Sequence, residues 1–315
     1  MRGARITGIA AERPRRVMYN TELPDHLDTN DEWIQARTGI VARGIASDDE
    51  SLVDLCSGAA AKAISAAGIS PSDVGLTITA TVTNPRALPA IAPQVTDRLS
   101  ITSGAFDINA ACAGFCYAIS LAADTVRTGS ADHVLVIGGD RLSDRTDWHD
   151  RNTCVIFSDG AGAAVVSATD SPDDDGIGPV IWGSDGSKAD DIEVPVGGQY
   201  IYMNGQAVFK WAVTEITKSS VEACRKAGIE PAELDAFVPH QANMRIVEAV
   251  ARGMKLPDSV VIGDDIKMSG NTSAASIPMA ISRMKEQDRI KTGDKTLIIG
   301  FGAGLVWAGQ VIECP

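Results

Sequence analysis

Short runs of β-branched and aliphatic residues alternate along the chain with longer stretches rich in alanine. The β-branched runs predict buried strands at 76–82, 133–137 and 296–299. The alanine-rich stretches predict helices at 51–67, 115–128, 208–227 and 246–253. Strands that alternate with helices are typical of α/β proteins, so we expect this fold class with a mostly parallel sheet.

An acidic segment that contains proline and glycine, Asp170–Gly176, lies near the middle of the chain. A composition of this kind is typical of a domain boundary. We therefore divide the chain into an N-terminal half, 1–170, and a C-terminal half, 171–315.

The two halves contain similar patterns of strand and turn. An apolar strand enters a turn and a helix at 105–112 and again at 236–240, and another strand enters glycines at 134–139 and 297–302. These matches predict two related halves in which 105–112 corresponds to 236–240. The junctions between strands and helices are also where open α/β sheets place functional groups.

Composition and charge exclude several classes of function for this chain. With 44% hydrophobic and 22% charged residues, the 315-residue chain has the composition of a globular protein. Its formal net charge of −13 argues against binding to nucleic acid or to anionic membranes. No apolar run of about 18 residues predicts a membrane span, and no signal-peptide core follows the basic N-terminus. We expect a cytoplasmic protein whose six cysteines are free thiols.

Cys112 stands where a strand ends near Ile108 and a helix of small residues begins. A thiol at a helix N-terminus meets unsatisfied N–H groups and the positive end of the helix dipole, which favour the nucleophilic thiolate. The alternative is a cysteine that packs in the core, since cysteine is among the most buried residue types. Cys116 follows one turn later, but no second pair of cysteines or histidines predicts a metal site.

His240 and Asn271 are candidate polar partners of this thiol. His240 follows an apolar strand and Pro239, and the helix that begins after it favours a neutral imidazole, although a purely structural histidine is the alternative. Asn271 lies in a loop of Gly, Ser and Thr, where its amide either caps the next helix or donates to a developing oxyanion. A thiol, an imidazole and a carboxamide at such junctions together predict an acyl-transfer site.

Six segments of the sequence resemble β-ketoacyl-[acyl-carrier-protein] synthase III of the thiolase superfamily: DEWIQARTGI, FDINAACAGF, FSDGAGAAVV, VPHQANMRI, GNTSAASIP and GFGAGLVWA. The likeness extends over essentially the whole chain from Arg5. It implies a five-layered αβαβα sandwich of two pseudo-symmetric halves that acts as a homodimer. It also implies that a short acyl-CoA is condensed with a malonyl-carrier protein, with loss of CO2 and without a metal or redox cofactor.

The same resemblance implies the catalytic roles. Cys112 would accept the acyl group, and His240 with Asn271 would stabilise the enolate that forms when the malonyl thioester loses CO2. The backbone N–H groups of Cys112 and Ala303 would hold the oxyanion of the acyl group.

Residues that bind CoA follow from the resemblance in the same way. Trp33, Arg37 and Arg151 would hold its adenine and phosphates, a task that suits an aromatic ring beside guanidinium groups. Core packing for Trp33 and a solvated surface for each arginine are the alternatives. Gly205 and Asn243 would line the pantetheine channel.

The acyl pocket would be bounded by Phe157 and by Leu88, with Leu88 reaching across from the other subunit. Ser158 stands where the family commonly has glycine in FGDGAGA, close to that pocket, and therefore bears on the acyl chain length that it accepts. The segment 192–202 is shorter than in some relatives, which bears on the channel entrance.

Carrier proteins of this family are acidic, so an acidic enzyme needs a local basic surface to bind one. Arg245 and Arg252 are seven residues apart on a predicted helix and therefore share one face. Lys255 follows them and Lys210 joins the predicted surface. The alternative is an ordinary charged helix face.

Two functions remain open at this stage. The first is the initiating condensation of fatty-acid synthesis. The second is a priming ketosynthase, or an acyltransferase, that loads a special starter in polyketide or other secondary metabolism. A non-catalytic partner subunit is disfavoured because Cys112, His240 and Asn271 are all present.

Overall fold

The computed structural model describes residues 2–315 and contains the predicted strands and helices. The strands are β1 (Ala4–Glu12), β2 (Arg16–Tyr19), β3 (Ala42–Ile45), β4 (Leu76–Ala80), β5 (Gly104–Ile108), β6 (His133–Arg141), β7 (Asp159–Ala168), β8 (Ile181–Ser184), β9 (Ile192–Glu193), β10 (Tyr202–Met203), β11 (Ala236–Pro239), β12 (Val261–Ile262), β13 (Lys295–Gly302) and β14 (Val306–Glu313). The helices are α1 (Asp31–Thr38), α2 (Leu52–Ala66), α3 (Ile91–Arg98), α4 (Gly114–Arg127), α5 (Gly205–Lys226), α6 (Met244–Gly253), α7 (Ile266–Ser269) and α8 (Ser276–Glu286).

The apolar strands are buried on both faces. In β6, Val134 and Val136 pack on one side of the sheet, while Leu135 and Ile137 pack on the other, because successive strand residues alternate. Strand β13 in the second half follows the same rule. Each sheet therefore needs an apolar layer against each of its faces.

Helices supply these layers. The central helices α4 and α8 share one hydrophobic core with the inner faces of both large sheets. Helices α2 and α3 cover the outer face of the first sheet, and α5 and α6 cover the outer face of the second. The result is the expected αβαβα sandwich. None of the helices within residues 2–315 is long and apolar enough to cross a membrane.

The two large sheets have the same strand order. The first is β1-β7-β6-β4-β5, and the second is β8-β14-β13-β11-β12. In each sheet, two of the four pairings are antiparallel, but both involve the same strand, β7 or β14. The other four strands run in one direction, as the expectation of a mostly parallel sheet requires. The one reversed strand arises because β6 leads to β7, and β13 to β14, without a crossover helix, so that the second strand of each pair returns antiparallel.

The strand order also corrects one predicted correspondence between the halves. By position, β11 matches β4 and not β5, so the pairing of 105–112 with 236–240 is wrong. Short apolar strands look alike in sequence, and the pattern does not give their places in the sheet. The turn that carries Cys112 instead matches the turn at 273–275. Both turns contain a residue with left-handed φ, Ala111 at 46° and Ser273 at 53°.

The acidic segment at 170–176 is tied to the first half. Asp175 forms an ion pair with Arg127 at 2.8 Å, and Asp174 pairs with Arg5. Helix α8 from the C-terminal half packs against β1 and β7 of the first sheet. The halves therefore interlock, and the segment between them is a fixed seam.

Candidate active site

A cavity of about 590 Å³ lies beside the turn that carries Cys112. Its wall includes Cys112, His240 and Asn271. Cys112 sits in the 3-10 turn before α4, His240 directly follows β11, and Asn271 precedes the 3-10 turn before α8. The structure thus brings three residues from distant parts of the sequence to one cavity.

Glycines of β13 allow the Cys112 turn to approach the second sheet. A Cβ atom on Gly302 would lie 2.8 Å from the Cys112 backbone N, and one on Gly300 would lie 2.7 Å from Ala113 Cα. Real Cβ atoms do not approach other atoms so closely, so only glycine fits at these two positions. Close packing of two backbones therefore explains the glycines at the end of β13.

Cys112 is half-buried, whereas the other five cysteines are buried. Burial raises the pKa of the Cys112 thiol to about 12, and this effect outweighs the interaction with the Ser273 hydroxyl that lowers it. The effect of the helix terminus on the thiolate stays a prediction. The thiol is protonated at neutral pH and must lose its proton when it reacts.

His240 is buried and its imidazole is held by Ser276. The His240 Nδ1 and the Ser276 Oγ are 2.7 Å apart, and the Gln241 N–H donates to the same oxygen at 3.3 Å. The Ser276 hydroxyl has no other acceptor among the residues described, so its proton goes to Nδ1. In a neutral ring the remaining proton then sits on Nε2.

The neutral state of His240 has a different cause from the one expected. Burial lowers the pKa of His240 to about 3. Helix α6 begins only at Met244, so its dipole is not the main cause. The Phe301 ring also packs against the imidazole in a T-shaped arrangement, with ring centres 5.2 Å apart. His240 is therefore a neutral imidazole in this structure.

Asn271 makes the contact expected for the capping role, and its role as a donor to an oxyanion stays a prediction. Its Oδ1 accepts the Ser273 N–H at 2.9 Å and thereby caps the turn before α8. An amide NH2 group cannot accept a hydrogen bond from a backbone N–H, so this bond fixes which end of the amide is oxygen and which is nitrogen. The Nδ2 group is left as a donor on a residue that lines the cavity.

Ser158 supports the loop that carries Asn271. Its N–H donates to the Asn271 carbonyl at 3.0 Å, and its hydroxyl donates to the Ser269 carbonyl. Gly270 has a φ of 66°, and a Cβ atom added at this position would lie 3.0 Å from the Cβ of Ser158. The direct contacts of Ser158 are thus with this loop, while the neighbouring Phe157 lines the cavity.

Two guanidinium groups lie close to the ring of Trp33. The Arg37 Cζ lies 5.6 Å and the Arg151 Cζ 5.3 Å from the centre of its ring. Asn243 lines the cavity and donates from Nδ2 to the Arg37 carbonyl at 3.1 Å, which links this cluster to the cavity wall. An aromatic ring beside two cations suits a planar base with phosphates.

Other predicted lining residues divide into two groups. Gly205, Asn243, Phe157 and Ala303 line the cavity. Leu88 does not line the cavity of its own chain, and its side chain is 81% exposed on the loop between β4 and α3. Sequence reasoning missed wall residues that carry no polar chemistry, namely Ile156, Val208, Phe209 and Trp211.

The predicted basic surface residues are all exposed: Lys210, Arg245, Arg252 and Lys255. Arg245 lies over the ring of Phe209, a cavity residue, at 5.4 Å. Arg252 is 3.8 Å from Glu248 on the same helix, and sequence reasoning missed this acidic neighbour. In the described part of the chain, no three His, Cys, Asp or Glu side chains are grouped to hold a metal ion.

Comparison with known proteins gives the family. The family model for 3-oxoacyl-[acyl-carrier-protein (ACP)] synthase III matches residues 106–186. The model for the C-terminal part of the same family matches residues 224–314. A β-ketoacyl-[acyl-carrier-protein] synthase III of Streptomyces glaucescens is 46% identical, with 99% of this chain and 96% of the relative covered. Synthase III 4 of Streptomyces coelicolor is 45% identical, with 99% of each covered.

Solved structures agree with this result. The priming β-ketosynthase from the R1128 polyketide biosynthetic pathway has a TM-score of 0.96 at 39% identity, covering 100% of this chain and 97% of that one. The 3-oxoacyl-[acyl-carrier-protein] synthase III from Aquifex aeolicus has a TM-score of 0.93 at 38% identity, covering 99% and 100%. With its thiolase-type sandwich and these full-length similarities, the chain belongs to the 3-oxoacyl-[acyl-carrier-protein] synthase III family.

Proposed function

We propose that this chain condenses a short acyl-CoA with malonyl-acyl-carrier protein, with loss of CO2, in the step that initiates fatty-acid synthesis. The observation that carries the proposal is one cavity wall with a thiol, a neutral imidazole and a carboxamide whose oxygen is hydrogen bonded and whose NH2 group is left as a donor. The same wall includes Asn243, which is hydrogen bonded to Arg37 beside Trp33. Relatives of 46% and 45% identity bear the name of this activity.

In the loading step, the Cys112 sulfur attacks the carbonyl carbon of the acyl-CoA. A bond forms between Cys112 and the acyl group, the bond to the CoA sulfur breaks, and the thiol proton ends on CoA. The oxyanion lies at the backbone N–H groups of Cys112 and Ala303. The close approach of Gly302 to the Cys112 nitrogen supports this assignment, because it places the two backbone segments side by side.

In the condensation step, the malonyl group loses CO2 and its electron pair forms an enolate. The His240 Nε2–H and the Asn271 Nδ2–H donate to the enolate oxygen, and neither group adds a negative charge beside it. The enolate carbon then attacks the acyl group, the bond to the Cys112 sulfur breaks, and Cys112 takes up a proton. No electrons enter or leave the substrates overall, so this reaction needs no redox cofactor.

The proposal includes a homodimer in which Leu88 of one chain bounds the acyl pocket of the other. Two observations support it. Leu88 is 81% exposed, and it lies outside the cavity of its own chain. A large apolar side chain on a loop tip is stabilised when a second chain covers it.

Ser276→Ala should slow malonyl decarboxylation by about fivefold, because one hydrogen bond that sets the His240 proton on Nε2 is worth roughly 1 kcal/mol. The measurement is CO2 release by the acylated enzyme. Ser282→Ala is the matched control, since Ser282 lies on the same helix and bonds Glu286 at 2.8 Å. Equal slowing in both variants would show that Ser276 acts only through the stability of α8.

Arg252→Glu should raise the KM for malonyl-carrier protein by about tenfold at low salt and leave acyl loading from acyl-CoA unchanged. The physical reason is that the substitution adds negative charge beside Glu248, on the surface proposed to meet an acidic partner. Arg225→Glu is the control, because Arg225 is exposed on α5 and is paired with Glu222. Equal loss of loading in Arg252→Glu would contradict a carrier-protein role.

A second candidate is a priming ketosynthase for polyketide synthesis, favoured by the TM-score of 0.96 to the R1128 enzyme. A panel of acetyl-CoA, branched and longer acyl-CoAs with malonyl-carrier protein separates the two functions. A β-ketoacyl product from acetyl-CoA or a short branched starter supports initiation of fatty-acid synthesis. A product only from longer or unusual starters supports priming, and no β-ketoacyl product from any starter would overturn the condensation itself.

A further inference from the structure

Arg145 is a cation in the wall of the active-site cavity, and the reaction above does not use it. It is half-buried, and within residues 2–315 its guanidinium forms no ion pair and no hydrogen bond with the protein. Its sequence neighbour Asp144 instead pairs with Arg141 at 3.2 Å. A guanidinium carries five N–H donors, and a charge that loses its water without gaining a partner is costly. The donors of Arg145 therefore need an acceptor that the protein does not supply.

The local backbone directs the Arg145 side chain toward the cavity. Leu142 and Arg145 are the first and last residues of one 3-10 turn. Side chains three residues apart in such a turn lie on the same face. Leu142 is buried and lines the cavity, so the Arg145 side chain points to the same side.

Hydrogen bonds hold this turn from two directions. Asp159 accepts the Ser143 N–H at 2.8 Å and the Ser143 hydroxyl at 2.7 Å. The Arg145 carbonyl accepts the Ile201 N–H at 2.8 Å, and Ile201 also lines the cavity. The backbone of Arg145 therefore has a fixed place in the wall, beside the apolar side chains of Leu142 and Ile201.

Glu193 is the other charged residue in the described part of the wall, and its side chain faces away from the cavity. In the paired strands β9 and β10, Ile192 lies opposite Met203, and both line the cavity. Glu193 lies opposite Tyr202, which is exposed and does not line the cavity. Since successive strand residues alternate, Glu193 and Tyr202 share the outer face. The charge that faces the cavity is therefore that of Arg145.

We propose that Arg145 makes the cavity select, among starters longer than acetyl, acyl chains that carry an oxygen acceptor beyond the thioester carbonyl, either a hydroxyl or a carboxylate. This substrate class rests on the proposed function, because it concerns the same cavity. An acyl chain that enters the cavity displaces the water around the guanidinium. An oxygen acceptor on the chain replaces the lost hydrogen bonds, whereas a plain hydrocarbon chain leaves the donors unpaired. The planar guanidinium can also bind a carboxylate through two parallel hydrogen bonds.

Starters of equal length test this preference. The panel is butyryl-CoA, 3-hydroxybutyryl-CoA and succinyl-CoA, which all have four acyl carbons, together with acetyl-CoA. Loading of Cys112 from at least one of the two oxygenated starters should have a kcat/KM about 10- to 100-fold above that from butyryl-CoA. A preference for succinyl-CoA identifies a carboxylate as the partner of Arg145, and a preference for 3-hydroxybutyryl-CoA identifies a hydroxyl. Intact-protein mass measures loading without any condensation.

Other results of this panel separate the two proposals. Loading from butyryl-CoA at least as fast as from both oxygenated starters would overturn the role of Arg145 and leave the proposed function standing. Loading from acetyl-CoA alone would have the same meaning. Loading from none of the four starters would overturn the proposed function together with the substrate class.

Arg145→Met tests whether the preference comes from this guanidinium. Methionine is unbranched and uncharged, so the preference for oxygenated starters should fall at least about tenfold, while loading from butyryl-CoA is kept and shows that the variant is folded. Glu193→Gln is the matched control, because it removes a charge that faces outward, and it should keep the wild-type preference. An unchanged preference in Arg145→Met, or an equal fall in both variants, would overturn the proposal.

Discussion

Replacing Cys112 with alanine is expected to abolish acyl loading and condensation, each by at least about 10³-fold, because no other nucleophile is in place to accept the acyl group. Cys112 is the cavity cysteine, and the other five cysteines are buried. Intact-protein mass after incubation with acyl-CoA measures loading directly. Decarboxylation of malonyl-carrier protein should persist in this variant, since His240 and Asn271 are untouched.

Cys116→Ala is the control for this prediction. Cys116 lies one turn beyond Cys112 on α4 and is buried. Its loss should lower stability slightly and leave loading unchanged. An acyl adduct of normal yield on Cys112→Ala, or loss of the adduct in Cys116→Ala alone, would contradict the assignment of the nucleophile.

Replacing Asn271 should separate the two half-reactions. Asn271→Ala removes the Nδ2 donor, and loss of one donor to a developing oxyanion costs about 10²- to 10³-fold in rate. Loading of Cys112 should stay within a few-fold of the wild-type rate. The two rates come from mass spectrometry of the acylated chain and from CO2 release after malonyl-carrier protein is added.

Asn271→Asp distinguishes the donor from the cap. The aspartate still accepts the Ser273 N–H, so the turn before α8 keeps its cap, but the donor is lost and a negative charge is added beside the enolate. Condensation should fall at least as far as in Asn271→Ala. If Asn271→Asp condensed normally while Asn271→Ala did not, Asn271 would serve only to cap the turn.

Many of the helices and strands can be predicted from the sequence, because burial dictates the pattern of apolar residues in each of them. The β-branched runs became central strands β4, β6 and β13, and the alanine-rich stretches became helices that cover the sheets. The position of each strand within its sheet could not be predicted from that pattern. Strands β5 and β11 look alike in sequence, yet one is an edge strand and the other is not.

The site, too, could be predicted only in part from the sequence. Cys112, His240 and Asn271 could be predicted because their chemistry is unusual at strand–helix junctions. Their states could not, because burial sets the pKa values of Cys112 and His240, and burial depends on the packed fold. Ser276 was missed because its contact is with His240, which is far away in sequence.

The central claim is that one cavity runs both half-reactions through an acyl group on Cys112. The direct test is to mix the chain with acyl-CoA alone, locate the adduct by peptide mass, and then add malonyl-carrier protein. We expect the acyl group on Cys112, followed by its loss in step with the appearance of β-ketoacyl-carrier protein. An adduct on another residue, or one that stays on Cys112 while product forms, would contradict the account.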